Sequence, residues 1–358
     1  MIKTNTFIVV LLTIMTSIGC QNNVSKNRNS FVDSVNVRGE LFMSADNLLD
    51  PWSINIYQNY LIIVNDNGEP QIEIYNALTK EKKASFLFKG NGPLEMLHVG
   101  NTQCDIKNGR LILYDLYRER LFGYDFEALL KNPNTIPEIL YETRIETTDI
   151  LFDKLMIKDG TLIGESRSPK GRIAVLDKNW SAEHYFINYP DKKNVDNRLS
   201  DIDNAGLYGS KFAFHPYEKK MASVTYTAGM IDLFDISDEQ IETIWSYHTF
   251  YPTNLSIRPT GDAIQVFYTM ESLKGYCDIF ATNKYVYALF SGKMFKDKTN
   301  AYGNVVYVLD WRGEETFKII LDHSINRIAV SPDDKMMYGI TQDTDIMRFS
   351  INEIIENE

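Results

Sequence analysis

The sequence predicts an all-β, six-bladed β-propeller, on three observations. Short β-patterned runs separated by Asn, Asp, Gly and Lys turns fill the chain from Asn59 onward, with almost no helical period. Through these runs a six-fold echo recurs: a strand ends in an aromatic residue or Leu, followed in most copies by Asp. Its spacing, roughly 40–75 residues, suits a four-stranded antiparallel blade with its loops. The composition is that of a folded chain with a large core, 44% of its 358 residues being hydrophobic and 12% aromatic.

The first element is an export signal over residues 1–19. Lys3 supplies a positive start, and Phe7 to Met15 forms an apolar run too short for a comfortable membrane span. Ser17-Ile18-Gly19-Cys20 closes it, small residues followed by a thiol. This tetrapeptide resembles a bacterial lipobox, with Ser17 where the strictest form has Leu, and the resemblance implies cleavage before Cys20 and acylation of that residue. Several acyl chains on one residue anchor stably where one would be marginal. Residues 20–32 are polar and Asn-rich, a tether outside the fold. Gln21-Asn22 lacks the Asp that retains such proteins at the inner membrane, so the outer membrane is expected. Without acidic residues in Gln21 to Lys26, the periplasmic face is favoured over surface display.

The blades come next, over residues 33–350. The echoes are Ile74-Tyr75-Asn76, Gly123-Tyr124-Asp125, Val175-Leu176-Asp177, Leu233-Phe234-Asp235, Val308-Leu309-Asp310 and Arg348-Phe349-Ser350. Each has a strand upstream, such as Leu111 to Tyr114 or Met336 to Ile340, and another before that, such as Asn326 to Val330. A fourth strand succeeds most copies, as in Glu242 to Trp245. The last copy has only the polar tail 351–358 after it. Residues 33–43 are therefore expected to supply the strand missing from the last blade and to close the ring, which removes exposed sheet edges. Two β-sandwiches would use the same turn signals, but no linker divides the chain near its middle. The polar stretches 191–204 and 291–300 read as surface loops.

Net charge −11 argues against nucleic acid as a partner. Cys104 and Cys277 read as buried free thiols, and no C-x-x-C spacing exists. No Gly-x-Ser-x-Gly elbow, His-Glu-x-x-His or Walker loop is present; Gly164-Glu165-Ser166-Arg167-Ser168 lacks the final glycine. The five histidines show no metal-ligand spacing. Tyr208, Phe212, Phe214, Tyr217, Tyr226, Tyr247, Phe250 and Tyr251 would make a binding platform if they faced one rim. Alternation instead puts Phe212 and Phe214 on one core face.

One block stands apart. Gly90, Asn91, Gly92, Pro93 and Glu95 form Gly-x-Gly-Pro-x-Glu directly after a strand. It reads as a turn in which Glu95 satisfies backbone donors, with a ligand contact involving Arg118 as the alternative. The block resembles the signature of six-bladed β-propeller lipoproteins of gut Gram-negative, Bacteroides-type bacteria, a TolB-like family. Leu113-Tyr114-Asp115 followed by Arg120 to Asp125 is similar to the family's second blade. Ser331-Pro332-Asp333-Asp334 resembles the Ser-Pro-Asp-Gly turn of propellers, with Asp334 replacing glycine. The resemblance implies exported, membrane-anchored propellers rather than enzymes.

The expected function is thus that of a monomeric binding or scaffolding lipoprotein without a cofactor. Its inter-blade loops would recognise an envelope protein, peptide or glycan. The alternative is a calcium-dependent hydrolase or lyase at the central channel, with ligands drawn from Asp105, Asp201, Asp203, Asn204, Asp262 and Asp278 on different blades.

Overall fold

Every echo within the described part of the chain marks the end of the third strand of a four-stranded antiparallel unit. The computed structural model describes residues 31, 33–92, 95–133, 135, 137–145, 150–158, 161–176, 182–237, 240–260 and 263–352. The export signal, Cys20, most of the tether, Pro93, Asp177, Asp262 and the end of the C-terminal tail lie outside these residues.

Blade 1 comprises Pro51–Tyr57, Tyr60–Asn65, Ile72–Asn76 and Lys82–Phe86; blade 2 comprises Val99–Asp105, Arg110–Asp115, Arg120–Asp125 and Ile139–Arg144. Blade 3 runs through Ile150–Lys158, Thr161–Ser166, Ile173–Leu176 and Ala182–Phe186, and blade 4 through Ser210–Phe214, Lys220–Thr225, Met230–Ile236 and Ile241–His248. Blade 5 has Tyr276–Ala281, Tyr285–Phe290 and Gly303–Asp310, and its fourth strand is the first part of the long strand Thr316–Val330. The second part of that strand is the innermost strand of blade 6, paired with Met336–Thr341, which pairs with Ile346–Ser350.

The N-terminal residues make two strands where one was expected. Gly39–Met43 pairs antiparallel with Ile346–Ser350, while Ser34–Val37 lies parallel to Lys318–Leu321 on the outer edge of blade 5. Phe31 sits in an aromatic group with Trp245, Tyr247 and Tyr307.

The apolar faces of successive blades meet in separate clusters. Ile74 and Leu113 belong to the cluster between blades 1 and 2, Tyr114 and Leu162 to that between 2 and 3, and Ile163 and Phe234 to that between 3 and 4. Leu233 with Val286 and Tyr287 with Met337 continue the series. The sixth cluster joins the last blade to the first, through Tyr338 and Ile340 against Ile54 and Ile63, with Phe42 included.

Asp334 adopts φ of 57°, the left-handed conformation its turn needs, which Asp tolerates better than most side chains. Its carboxylate accepts a 2.8 Å hydrogen bond from the Tyr287 hydroxyl, which ties blade 6 to blade 5. Three elements are absent from the sequence reading. A short helix, Phe126–Lys131, is capped by Asp125 accepting from the Ala128 amide. Another, Asp201–Gly206, begins at Ser200 within the expected 191–204 loop. A hairpin of Leu255–Thr260 and Ala263–Tyr268 is inserted between blades 4 and 5.

Removing residues 1–43 strips the outer strand from blade 6 and leaves the edge of Ile346–Ser350 unpaired. Thermal unfolding should then occur several degrees lower than in a chain starting at residue 31, with concentration-dependent aggregation visible by light scattering.

Candidate functional site

The inner strands leave a central cavity of about 330 Å³. Among the described side chains its walls come from blades 1, 2, 4, 5 and 6: Trp52 to Ile56, His98 to Lys107, Lys211 to Pro216, Asp278 to Ala281, and Arg327 with Ile328. The lining runs through consecutive residues of these strands, because the edge of each inner strand faces the axis while its side chains alternate towards the two neighbouring blades. Most of those positions are apolar or small, and a few are charged.

The charged group is built from three blades. Lys211 Nζ lies 2.5 Å from Asp278 Oδ1, and the Ile328 amide donates to Asp278 Oδ2 at 3.0 Å. Both carboxylate oxygens are therefore engaged from neighbouring strands. Burial lowers the Lys211 pKa to about 8, nearby Arg327 pushes in the same direction, and Asp278 pulls back only part of the way. Arg327 stacks its guanidinium 5.5 Å from the centre of the Trp52 ring and donates to the Asn326 carbonyl at 2.9 Å. Trp52 stacks in turn on His98, 5.4 Å between ring centres, and His98 Nδ1 lies 3.1 Å from Asp66 Oδ1. The Trp52 indole N–H is buried without an acceptor among the described residues.

Sequence reasoning nominated Asp278 but neither Lys211, Arg327 nor Trp52. A signal existed in Lys211-Phe212-Ala213-Phe214 and Arg327-Ile328-Ala329-Val330, where one long cation interrupts an apolar strand. Phe212 and Phe214 are core residues, as alternation requires, in the cluster between blades 3 and 4. The aromatic residues do not share one rim: Tyr226 lines the cavity, whereas Tyr217 lies past the far end of the blade 4 inner strand.

The nominated calcium ligands that are described do not gather. Asp105 and Asp278 both line the cavity, but Asp105 holds the Asn108 backbone and side-chain amides in a turn between blade 2 strands. Asp201, Asp203 and Asn204 lie on the short helix of the 189–208 segment. There Asp201 pairs with Lys192, Asp203 with Ser200, and Asn204 with the Pro190 carbonyl. Among the described residues, no group of three or more His, Cys, Asp or Glu is placed to hold a metal ion. Cys104 and Cys277 are free thiols; burial raises the pKa of both, that of Cys277 to about 11.

The glycine block is a turn in which both glycine amides are met internally. Glu95 Oε2 accepts the Gly92 amide at 2.7 Å, and the Gly90 amide bonds to the Met96 carbonyl at 3.2 Å. A Cβ on Gly90 would collide with Glu95 Oε2, so the carboxylate fits only against glycine. Arg118 donates to the Glu95 carbonyl and, at 2.7 Å, to Asp115, whose carboxylate is fully buried and also accepts the Leu97 amide. These contacts fasten the linker between blades 1 and 2.

A third feature lies at the end of the channel where the inner strands begin. The segments 189–208, 249–275 and 291–302 all attach there, and the first two share an apolar cluster including Tyr208, Leu199, Leu255, Ile257 and Tyr268. Tyr268 meets Phe295 at 5.2 Å, Leu273 bridges Met294, and Lys296 pairs with Glu271 at 3.1 Å. Ile202, Phe267 and Met270 on these segments are exposed. Nearby, Arg172 of blade 3 pairs with buried Asp232 of blade 4 at 2.8 Å, and Ser246 and His248 also bond Asp232.

Comparison with known proteins agrees with this architecture. The family model of TolB-like 6-blade propeller-like proteins matches residues 26–333. A crystal structure described as an exported protein from Bacteroides fragilis superposes with a TM-score of 0.51 at 13% identity, covering 88% of this chain and 98% of that one. A member of the DUF4221 family from Bacteroides vulgatus gives 0.53 at 13% identity, covering 87% and 97%. No curated protein matches the chain.

The buried pairs lead to two expected outcomes. Arg118→Ala leaves the Asp115 carboxylate buried without its cation and should cost about 3 kcal/mol in urea unfolding. Burial opposes the charge on Asp232, but Arg172, His248 and Ser246 outweigh it and hold the carboxyl well below its ordinary range. That stabilisation is complete above the unfolded-chain value of about 4 and is lost as pH falls below it. Asp232→Asn should therefore destabilise most at neutral pH, with the gap to wild type narrowing on acidification.

Proposed function

The chain belongs to the TolB-like 6-blade propeller-like family, and on that premise we propose that it is an exported, lipid-anchored binding propeller of the cell envelope. The observation that carries this reading is the platform formed by 189–208 and 249–275 with 291–302 packed against the latter. A blade needs only short connections, yet three long ones converge on one face; 189–208 and 249–275 build an apolar core, 291–302 packs against 249–275, and Ile202, Phe267 and Met270 are exposed. Rigid strands beneath hold that surface in place, which is how propeller loops recognise partners. The partner is an envelope protein docking on this platform, and the chain acts as a scaffold without catalysis.

The address rests on residues 1–20. An apolar export signal over residues 1–19 followed by Cys20 supports acylation there, Gln21-Asn22 favours the outer membrane, and the lack of acidic residues from Gln21 to Lys26 favours its periplasmic face. The description of one structural relative as exported is in keeping with this address.

Affinity purification of the tagged protein from detergent-solubilised native envelopes tests both parts. Wild type should recover a near-stoichiometric envelope protein, and replacing residues 255–268 by a short Gly-Ser turn should lose it while the propeller still melts cooperatively. Cys20→Ala should move the protein from the membrane to the soluble fraction and abolish fatty-acid labelling. Recovery of no protein partner by the wild type would overturn the scaffold reading.

A further inference from the structure

The point where the chain enters the propeller lies at the foot of the platform. Phe31 is buried between blades 4 and 5, its ring 4.8 Å from that of Tyr247 and 4.9 Å from that of Tyr307. From Tyr307 the ring contacts continue to Phe290 at 5.5 Å, and from Phe290 to Phe250 at 6.4 Å. Phe250 belongs to the 249–275 segment, and Phe290 ends the strand that leads into 291–302. Packed aromatic rings therefore run from Phe31 to the base of the platform. Phe31 follows Cys20 by eleven residues, which span at most about 38 Å however they run, against a body roughly 50 Å across. With Cys20 in the membrane, blades 4 and 5 are the sector held towards it, and two of the three platform segments rise from those blades.

We propose that the platform docks an integral protein of the membrane that Cys20 enters, on an apolar patch of that protein's extramembrane surface. The inference rests on the reading of the chain as a lipid-anchored scaffold and names the kind of partner. Exposed Ile202, Phe267 and Met270 call for apolar surface on the other side of the contact. The bilayer itself is a poor occupant. Lys192, Lys193, Arg198 and Lys296 already sit beside Asp201, Asp191, Asp196 and Glu271 of the platform, so these cations are not offered to lipid phosphates. A chain of net charge −11 is also repelled by an anionic surface. A soluble partner gains nothing from a tether this short, whereas one resident in the same membrane meets the platform at high effective concentration.

Photo-crosslinking in native envelopes tests this on the full chain, with a thiol-directed benzophenone on Met270→Cys and wild type treated in parallel as background. The label should form an adduct with one protein that stays in the membrane pellet after an alkaline carbonate wash. The same label on Tyr217→Cys, past the far end of the blade 4 inner strand, should not. Inserting ~40 Gly-Ser residues after Ser25 should cut the adduct by ~10-fold with the chain still in the pellet, because effective concentration falls roughly as the −3/2 power of tether length. The proposal is overturned if the adduct partner washes off while the chain stays, if Met270→Cys reaches only lipid, or if the longer tether leaves the adduct unchanged. A wild-type chain that itself washes off puts the anchor reading at fault, and a retained chain that forms no adduct puts the scaffold reading at fault; the proposal falls with either.

Discussion

A four-stranded blade carries apolar side chains on both of its faces, and only a neighbour on each side can bury them. In this chain the constraint is met all the way round: Ile74 faces blade 2, Ile63 faces blade 6, and both are fully buried although they lie on adjacent strands of one blade. Burial of this kind, about 25 cal/mol per Å² of apolar surface, is non-directional, so polar bonds must set how the blades align. Tyr287 to Asp334, Arg172 to Asp232 and Asn55 to the Thr102 carbonyl each cross from one blade to the next. Register between blades therefore depends on a small number of buried hydrogen bonds laid over a continuous apolar seam.

The same constraint decides where chemistry can sit. Between blades a buried charge needs a counter-charge, and Arg172 has Asp232, whose carboxylate also bonds Ser246 and His248, while the Arg172 Nε–H is buried without an acceptor among the described residues. Along the axis the inner strands face a void instead of a neighbour, so a cation such as Arg327 can stand without a carboxylate among the described residues at tolerable cost. The channel and the outer loops are the two places where side chains are released from packing duty. The cationic group and the three-segment platform occupy those two places.

Much of the fold was legible because it depends on local periodicity. The echo ending at Asn76, Asp125, Asp235 and Asp310 closes a third strand each time, and Asp334 stands where the turn demands a left-handed residue. The helix at Phe126 was hidden because Asp125 serves twice, closing a strand and capping the helix that begins at the next residue. The hairpin 255–268 was hidden because none of its described strand residues is fully buried and Pro259 interrupts the first strand, although Leu255, Ile257, Val266 and Tyr268 pack in the segment cluster. The site was less legible for a different reason. Trp52, Lys211, Asp278 and Arg327 are brought together only by ring geometry, across gaps that no local pattern spans.

The glycine block makes the converse point. It is the most motif-like stretch of the chain, and its backbone amides resemble an anion cradle in sequence. In the fold Glu95 already supplies the anion: its carboxylate fills the space above Gly90 and takes the Gly92 amide. A cradle that carries its own carboxylate has no net attraction left for another. At the channel the order is reversed: Arg327 pairs with no carboxylate among the described residues. Recognisability in sequence and readiness to bind have different origins here, because a motif reports a local hydrogen-bond circuit that is closed, whereas a binding site requires one that is open.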